Sequence, residues 1–136
     1  MGIVAAGGII LGASKFVGQI ALVRRRRYRG ELGLPKGKSR GIESPLETAL
    51  REVREETGYS VAVQEFAGTT HYFVRGVPKI VFYFVMHINS TDSAGIEDTD
   101  EIAGVEWMTP EVAIRILSHW EDRTLVTAVF GLNPWR

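Results

Sequence analysis

The chain has 136 residues, of which 45% are hydrophobic and 24% charged, and it contains no cysteine. This length suits a single domain over residues 1–136, and the lack of cysteine excludes disulfides and thiolate metal sites. No apolar run reaches the roughly 20 residues that span a bilayer, so we expect a cytoplasmic protein that does not bind membranes.

The formal net charge of zero hides a polarity along the chain. Residues 1–40 hold nine Lys and Arg but only one acid, giving +8, and the remainder carries −8. A basic segment beside an acidic site favours a polyphosphate ligand. For any single arginine of the run Arg24–Arg27, a solvated strand end is an equally good interpretation.

The first half of the chain predicts two strands, a loop and a helix. We expect strands at Ile3–Leu11 and Gln19–Arg26, followed by a loop over residues 30–43, where glycine and proline recur. A helix over 45–57 is predicted from its ends, because Ser44, Pro45 and Glu47 suit the N-cap, N1 and N3 positions and Gly58 suits the C-terminal cap.

The second half predicts strands followed by a second helical region. Strands are expected around 59–66, 69–75, 79–88 and 104–108, and 79–88 is apolar enough to be a central strand buried on both faces. An acidic loop covers Ser90–Thr99, and Thr109 and Pro110 begin a helical region that runs to about Phe130. This order of elements predicts an α/β/α sandwich.

Three carboxylates converge on one face of the first predicted helix. Glu52, Glu55 and Glu56 lie at positions i, i+3 and i+4. Carboxylates this close raise one another's pKa unless a cation lies among them. Hard divalent cations prefer oxygen ligands, so the pattern predicts a metal site, with Mg²⁺ as the first choice.

The segment Gly37–Tyr59 resembles the signature of the Nudix hydrolases, which has glycines, glutamates and one arginine at fixed spacing. The matching positions are Gly37, Glu43, Arg51, Glu52, Val53, Glu55, Glu56, Gly58 and Tyr59. Tyr59 stands where the family has an aliphatic residue, and an aromatic packs equally well at the start of a strand. The resemblance implies a Nudix-type α/β/α sandwich with a mixed central sheet, and a hydrolase that cleaves a nucleoside diphosphate linked to another group.

The same resemblance implies roles for individual residues. Residues matching Glu52, Glu55 and Glu56 bind the metal (Mg²⁺, with Mn²⁺ as an alternative), and the carbonyl at Gly37 contributes. Glu43 is expected to pair with Arg51. The general base is left open between Glu55, Glu56 and the acids of the acidic loop, which are Glu97, Asp98, Asp100 and Glu101; of these, Glu101 is the best match. Plain solubility is the other interpretation of these four acids.

A second resemblance concerns the substrate. Residues 78–84 are similar to a strand of the asymmetric diadenosine tetraphosphate hydrolases, in which the residue matching Lys79 contacts phosphate and the residue matching Tyr83 stacks on adenine. Lys79 and Tyr83 are four residues apart and so face the same side of a strand. A core aromatic is the competing interpretation of Tyr83, and Lys36 and Lys38 are further expected substrate contacts.

We therefore predict a pyrophosphohydrolase that acts on a dinucleoside polyphosphate such as diadenosine tetraphosphate. The alternatives are an oxidised nucleoside triphosphate, a diphosphoinositol polyphosphate, or a module that binds nucleotides without cleaving them. RNA is weakly supported as a partner, because no aromatic residues are interleaved with the basic run. The oligomeric state is left open.

Overall fold

A computed structural model describes residues 2–27 and 29–133. Within them lie seven strands and three α-helices: β1 (Ile3–Leu11), β2 (Ile20–Arg25), β3 (Leu32–Gly33), β4 (Lys36–Lys38), α1 (Pro45–Thr57), β5 (Val61–Val74), β6 (Val77–Ile88), β7 (Ile102–Met108), α2 (Pro110–Ile116) and α3 (Trp120–Phe130). Of these helices, none has both the length and the apolar character needed to cross a bilayer.

The strands form one mixed sheet. Its main path runs β3-β2-β1-β6-β5, while β4 pairs with β1 and β7 pairs with β2. The β1–β6 pair is parallel and the other pairs are antiparallel. The predicted mixed central sheet is confirmed, with β1 as the strand that joins its two halves.

Alternate side chains of β1 belong to two separate cores. Ala5 and Ile9 pack with the layer formed by α2 and α3, whereas Ala6 and Ile10 pack with α1. All four are fully buried. Each buried isoleucine stabilises the fold by about 1.5–3 kcal/mol, so β1 fixes a helical layer on each face of the sheet and the predicted α/β/α sandwich is confirmed.

The predicted loop over residues 30–43 contains two short strands. The residues of β4 pair with β1, Gly37 lying opposite Ala6, and β3 pairs with the end of β2. Runs of two or three residues between glycines and proline carry no periodic pattern, so these strands form through their backbone partners rather than through side-chain alternation.

The sheet edge and the C-terminal layer also differ from the prediction. β5 is one strand instead of the two predicted strands. Bulges at the register shifts Val63/Glu65 and Phe66/Gly68 allow the strand to continue past the predicted break near Gly68.

The C-terminal helical region consists of two helices instead of one. Ser118 separates them, since its N–H donates to the Leu32 carbonyl and its Oγ accepts from the Leu32 N–H, which ties the chain to β3.

Candidate active site

A cleft of about 1100 Å³ opens on the sheet between β4, the β5–β6 hairpin, the acidic loop and the start of α3. Its lining mixes charges of both signs, and it includes the bases Lys36, Lys38 and Lys79 and the acids Glu52, Asp98 and Glu101. The two halves of the charge polarity along the sequence therefore meet in one cleft.

Helix α1 carries the carboxylate face and has the predicted ends. The Ser44 Oγ accepts from the Glu47 N–H at 3.2 Å, and a Glu47 carboxylate oxygen accepts from the Ser44 N–H at 2.9 Å. Gly58 ends the helix in the left-handed conformation, with φ of 76°. Capping at both ends fixes where each glutamate of α1 faces.

Arg51 connects the carboxylates of this face. Its Nε and Nη2 donate to the two oxygens of Glu43 at 2.7 and 2.9 Å, which confirms the expected pair. Its Nη1 donates to Glu52 at 2.8 Å and to Glu55 at 2.9 Å. The hydrogen bonds from Arg51 lower the pKa of Glu43 to about 2.

Glu52 packs directly against the backbone of β4. A Cβ atom placed on Gly37 would lie 2.0 Å from the Glu52 Cδ, so no side chain fits at residue 37. Burial raises the pKa of Glu52. The predicted ligands Gly37 and Glu52 are thus in contact.

Glu56 is the most deeply buried carboxylate of the helix, with 1% of its surface exposed. It accepts from the Lys36 N–H at 3.0 Å and from the Arg25 Nη1 at 3.2 Å. Burial raises its pKa to about 7. Arg25 also donates to the Leu34 carbonyl at 3.1 Å, so one guanidinium joins Glu56 to the loop before β4.

The acidic loop brings two further carboxylates to Glu56. Carboxylate oxygens of Glu56, Asp98 and Glu101 lie within 4.8 Å of one another. The loop is held by the end of α1, because the N–H groups of Glu97 and Asp98 donate to the Glu55 carbonyl at 2.9 and 3.0 Å. The structure therefore brings Glu101 to the predicted site.

Asp98 is a loop acid that the sequence analysis ranks below Glu101. It is partly buried and burial raises its pKa, unlike the solvated loop acid that its sequence context indicates. The sequence signal for its role is that it precedes Glu101 by three residues, because a turn over Asp98–Glu101 places both side chains together. The backbone does turn there, since the Ile102 N–H donates to the Asp98 carbonyl.

The three predicted substrate lysines come together through strand pairing. On β1, Gly7, Ala5 and Ile3 pair with Lys36, Lys38 and Lys79 respectively. The pKa of Lys79 is lowered to about 8, first by burial and then by the nearby charges of Lys36 and Lys38. Mutually repelling ammonium groups in one cleft favour a bound anion.

Tyr83 does not line the cleft. Its ring is fully buried in the core beneath α2 and α3, and its hydroxyl has no hydrogen-bond partner among the described residues. A ring covered on both faces offers no surface for stacking on adenine, which corrects the role that the resemblance suggested. The aromatic side chain beside Lys79 is Tyr72, whose ring centroid lies 5.5 Å from the Lys79 Nζ.

Asp122 on α3 is a cleft residue that sequence reasoning missed. Only 6% of it is exposed, it lines the cleft, and no described residue donates a hydrogen bond to its carboxylate. Burial raises its pKa. Its position depends on the break between α2 and α3, which no local signal in the sequence reveals.

Comparison with known proteins agrees with this geometry. The family model described as the NUDIX domain matches residues 1–129. The chain belongs to this family. Its predicted identity as a Nudix hydrolase is thereby confirmed, and so is the prediction that it is an enzyme.

Three curated relatives show the range of proteins that this Nudix hydrolase resembles. A MutT-like protein of Streptomyces ambofaciens is 36% identical over 115 residues, covering 83% of this chain and 70% of the relative. An 8-oxo-(d)GTP phosphatase of Mycolicibacterium smegmatis is 28% identical over 79% of this chain. The asymmetrical bis(5'-nucleosyl)-tetraphosphatase of Mus musculus is 33% identical over 60% of it. The chain spans only 32% and 58% of the latter two proteins.

Solved structures share the fold at lower identity. An Ap4A hydrolase of C. elegans in a binary complex superposes with a TM-score of 0.82 at 24% identity, covering 95% of both chains. A NUDIX hydrolase of Nitrosomonas europaea gives a TM-score of 0.80 at 21% identity, covering 96% of this chain and 90% of its own. These likenesses establish the Nudix fold.

Nudix hydrolases depend on a metal, and the donors of this chain fit one. Glu52, Glu56, Asp98 and Glu101 offer only oxygen ligands, the type that hard divalent cations prefer. The Arg25 guanidinium balances the charge of Glu56, but the carboxylates of Asp98 and Glu101 lie within 4.8 Å of it and add negative charge that this one guanidinium does not balance. The site is therefore built for a cation of this class.

Proposed function

We propose that this Nudix hydrolase is a Mg²⁺-dependent pyrophosphohydrolase that cleaves a phosphoanhydride bond of a dinucleoside polyphosphate such as diadenosine tetraphosphate. The observation that carries the proposal is one cleft lined both by Lys36, Lys38 and Lys79 and by acids of the carboxylate cluster, which consists of Glu52, Glu56, Asp98 and Glu101. The lysines neutralise one part of a polyphosphate while the carboxylates bind the metal that neutralises another.

The carboxylates divide into metal ligands and a base. Glu52, Glu55, Glu56 and the Gly37 carbonyl are the proposed ligands, with Mn²⁺ as an alternative ion, and Asp98 joins them because of its distance to Glu56. The bound metal supplies charge neutralisation and a water of lowered pKa.

Glu101 is the proposed general base. Its side chain is exposed to the cleft, whereas Glu55 is held by Arg51 at 2.9 Å and Arg40 at 3.4 Å, and Glu56 by Arg25 at 3.2 Å. A Glu101 oxygen accepts the proton of the attacking water as the new oxygen–phosphorus bond forms. The phosphoanhydride bond breaks and the leaving phosphate departs towards the lysines.

An apolar groove next to the cleft supports a substrate that carries a nucleoside. The groove has a volume of about 660 Å³, shares Tyr72 and Lys79 with the cleft, and is lined by Phe73 and Trp120. These two aromatic side chains are 73% and 62% exposed. Exposed flat rings beside a cationic cleft suit a nucleobase attached to phosphates.

Hydrolysis of an oxidised nucleoside triphosphate is the second candidate. The buried Asp122 carboxylate has an unfilled hydrogen-bonding capacity and faces the same cleft, so it suits the N–H edge of a purine. The Mycolicibacterium relative named for 8-oxo-(d)GTP supports this reading.

A substrate panel with Mg²⁺ separates the candidates. We expect kcat/KM for diadenosine tetraphosphate to exceed that for 8-oxo-dGTP, ADP-ribose and a diphosphoinositol polyphosphate by at least about tenfold. Preference for 8-oxo-dGTP supports the second candidate, and failure to hydrolyse any of the four contradicts the proposed activity.

The site itself is tested with two isosteric variants. Glu56→Gln removes a proposed ligand and should lower turnover at least about 100-fold, whereas Glu65→Gln changes an exposed glutamate of β5 and should leave it intact. Turnover that survives Glu56→Gln would overturn the assignment of the site.

A further inference from the structure

The turn between β5 and β6 places an arginine in a disfavoured backbone conformation. Val74 pairs with Val77, so Arg75 and Gly76 form a two-residue turn, and their φ angles are 50° and 79°. Positive φ at both central residues defines a type I′ turn, for which Asn-Gly is the preferred sequence. A long side chain at the first position is strained there, and such strain is concentrated at functional sites.

Arg75 lies on the wall of the cleft and has no acidic partner. It lines the cleft together with Val74 and Val77. None of the acidic side chains in residues 2–27 and 29–133 forms an ion pair with it, whereas Arg24, Arg25 and Arg51 are each paired. The charge of Arg75 is therefore available to a ligand.

Strand register orders the cations of the cleft along one direction. Lys36, whose N–H binds Glu56, pairs with Gly7; Lys38 pairs with Ala5; and Lys79 pairs with Ile3. The β5–β6 turn lies beyond Lys79 in the same direction. At roughly 3.3 Å per residue, Arg75 extends the row of cations by about 10 Å past Lys79.

We propose that Arg75 binds the phosphate of the substrate that lies furthest from the carboxylate cluster, so that the site favours long polyphosphate chains. A guanidinium binds phosphate in a bidentate manner, which suits a contact at the open end of a cleft. The inference rests on the proposed function, because it assigns the substrate class of the same site.

Arg75→Asn tests the contact and the strain together. Asparagine suits the first position of a type I′ turn, so we expect the variant to unfold about 3 °C higher than the wild type. We also expect its kcat/KM for diadenosine tetraphosphate to fall about tenfold. The fall in its kcat/KM for dGTP should be at least five times smaller.

Arg29→Asn is the matched control. Arg29 also has positive φ, 59°, and also precedes a left-handed glycine, Gly30 with φ of 76°, but it does not line the cleft. The control removes the same charge and the same kind of strain. It should raise the unfolding temperature similarly and change kcat/KM for either substrate less than twofold.

Calorimetric binding of inorganic anions separates this inference from the proposed function. With Mg²⁺ present, Arg75→Asn should weaken the binding of inorganic tetrapolyphosphate at least fivefold and weaken pyrophosphate binding much less, and this holds even if no nucleotide is hydrolysed. Equal losses for long and short anions, no loss, or the same loss in Arg29→Asn would overturn the role of Arg75.

Discussion

Gly37 and Glu52 occupy one small volume of the site, and that contact explains why residue 37 is a glycine. The carboxylate of Glu52 lies where any side chain of residue 37 would start. Gly37 is the middle residue of β4, and the other two residues of this strand, Lys36 and Lys38, line the cleft. A shift of this strand therefore moves carboxylate and lysines together.

Gly37→Ala is expected to lower kcat/KM about 100-fold, because the new methyl group displaces Glu52 or β4 by the order of an ångström. Gly104→Ala is the control: it lies on β7, and an added Cβ meets no atom within 4 Å. Steady-state kinetics of both variants, with unfolding temperatures, provide the measurement. Full activity in Gly37→Ala would show that the contact does not matter.

The lowered pKa of Lys79 leads us to expect that substrate binding depends on pH. Its lowered pKa of about 8 means that the side chain loses its charge as pH rises through 8, and phosphate binding weakens with it. We expect KM to rise between pH 7 and 9 in the wild type. In Lys79→Arg, whose guanidinium stays charged, the rise should be absent. An unchanged profile in that variant would show that another group controls KM.

At this scale, prediction succeeded where contacts are local in sequence. Glu52, Glu55, Glu56 and Arg51 share one helix, so spacing alone places them on one face. The predicted role of Tyr83 in stacking on adenine was wrong for the opposite reason. Spacing puts it on the same side as Lys79, but only the long-range docking of α2 and α3 determines that this part of β6 is covered.

Helix α1 and the acidic loop behave as one unit. The Ala94 N–H donates to the Gly58 carbonyl at 2.9 Å, and the Ser93 Oγ donates to the Thr57 carbonyl at 2.8 Å. Together with the bonds to the Glu55 carbonyl, these contacts dock the loop on the end of the helix. The helix cap thereby positions the Asp98 and Glu101 side chains.

Gly58→Ala should disrupt this docking. A Cβ there would lie 2.4 Å from the Ser93 Oγ, and left-handed backbone costs an alanine about 1–2 kcal/mol. Gly41→Ala isolates the backbone cost, because Gly41 has φ of 54° and open space around it. Chemical denaturation and Mg²⁺ titration should show a larger loss of stability and weaker metal binding in Gly58→Ala. Equal effects in the two variants would contradict loop docking.

Helices and strands were predictable where capping residues or a periodic pattern of apolar residues within the element specify them. Helix α1 has a capping box and a terminal glycine, so its predicted bounds match Pro45–Thr57. The short strands β3 and β4, the bulges of β5 and the break at Ser118 depend on partners distant in sequence. No propensity within a few residues of them could reveal those partners.

At the scale of the whole molecule, basic and acidic residues from different parts of the chain line one cleft. Basic residues of the first 40 positions, among them Arg25, Lys36 and Lys38, line the same cleft as the later acids Glu52, Asp98 and Glu101. A TM-score of 0.82 at only 24% identity shows that the fold itself tolerates extensive substitution.

Metal binding should stabilise the whole fold. Mg²⁺ at about 100 times its Kd is expected to raise the free energy of unfolding by about 2.7 kcal/mol over protein in EDTA, because only the folded chain assembles the carboxylates. Glu56→Gln should lose most of this gain, and EDTA should abolish turnover of the wild type. Scanning calorimetry with and without Mg²⁺ gives the answer; identical unfolding temperatures would contradict a metal site.

The central position of β1 has a consequence for the order of folding during synthesis. Its parallel partner β6 is made much later, since Ile3 pairs with Lys79 and Leu11 with His87. While translation proceeds between them, the apolar β1 has no completed sheet, and distant pairing of this kind makes folding slow. Lys36 and Lys38 pair with β1 through β4, but Lys79 joins them only when β6 pairs with β1. A nascent chain that ends before β6 therefore lacks the complete row of proposed phosphate contacts.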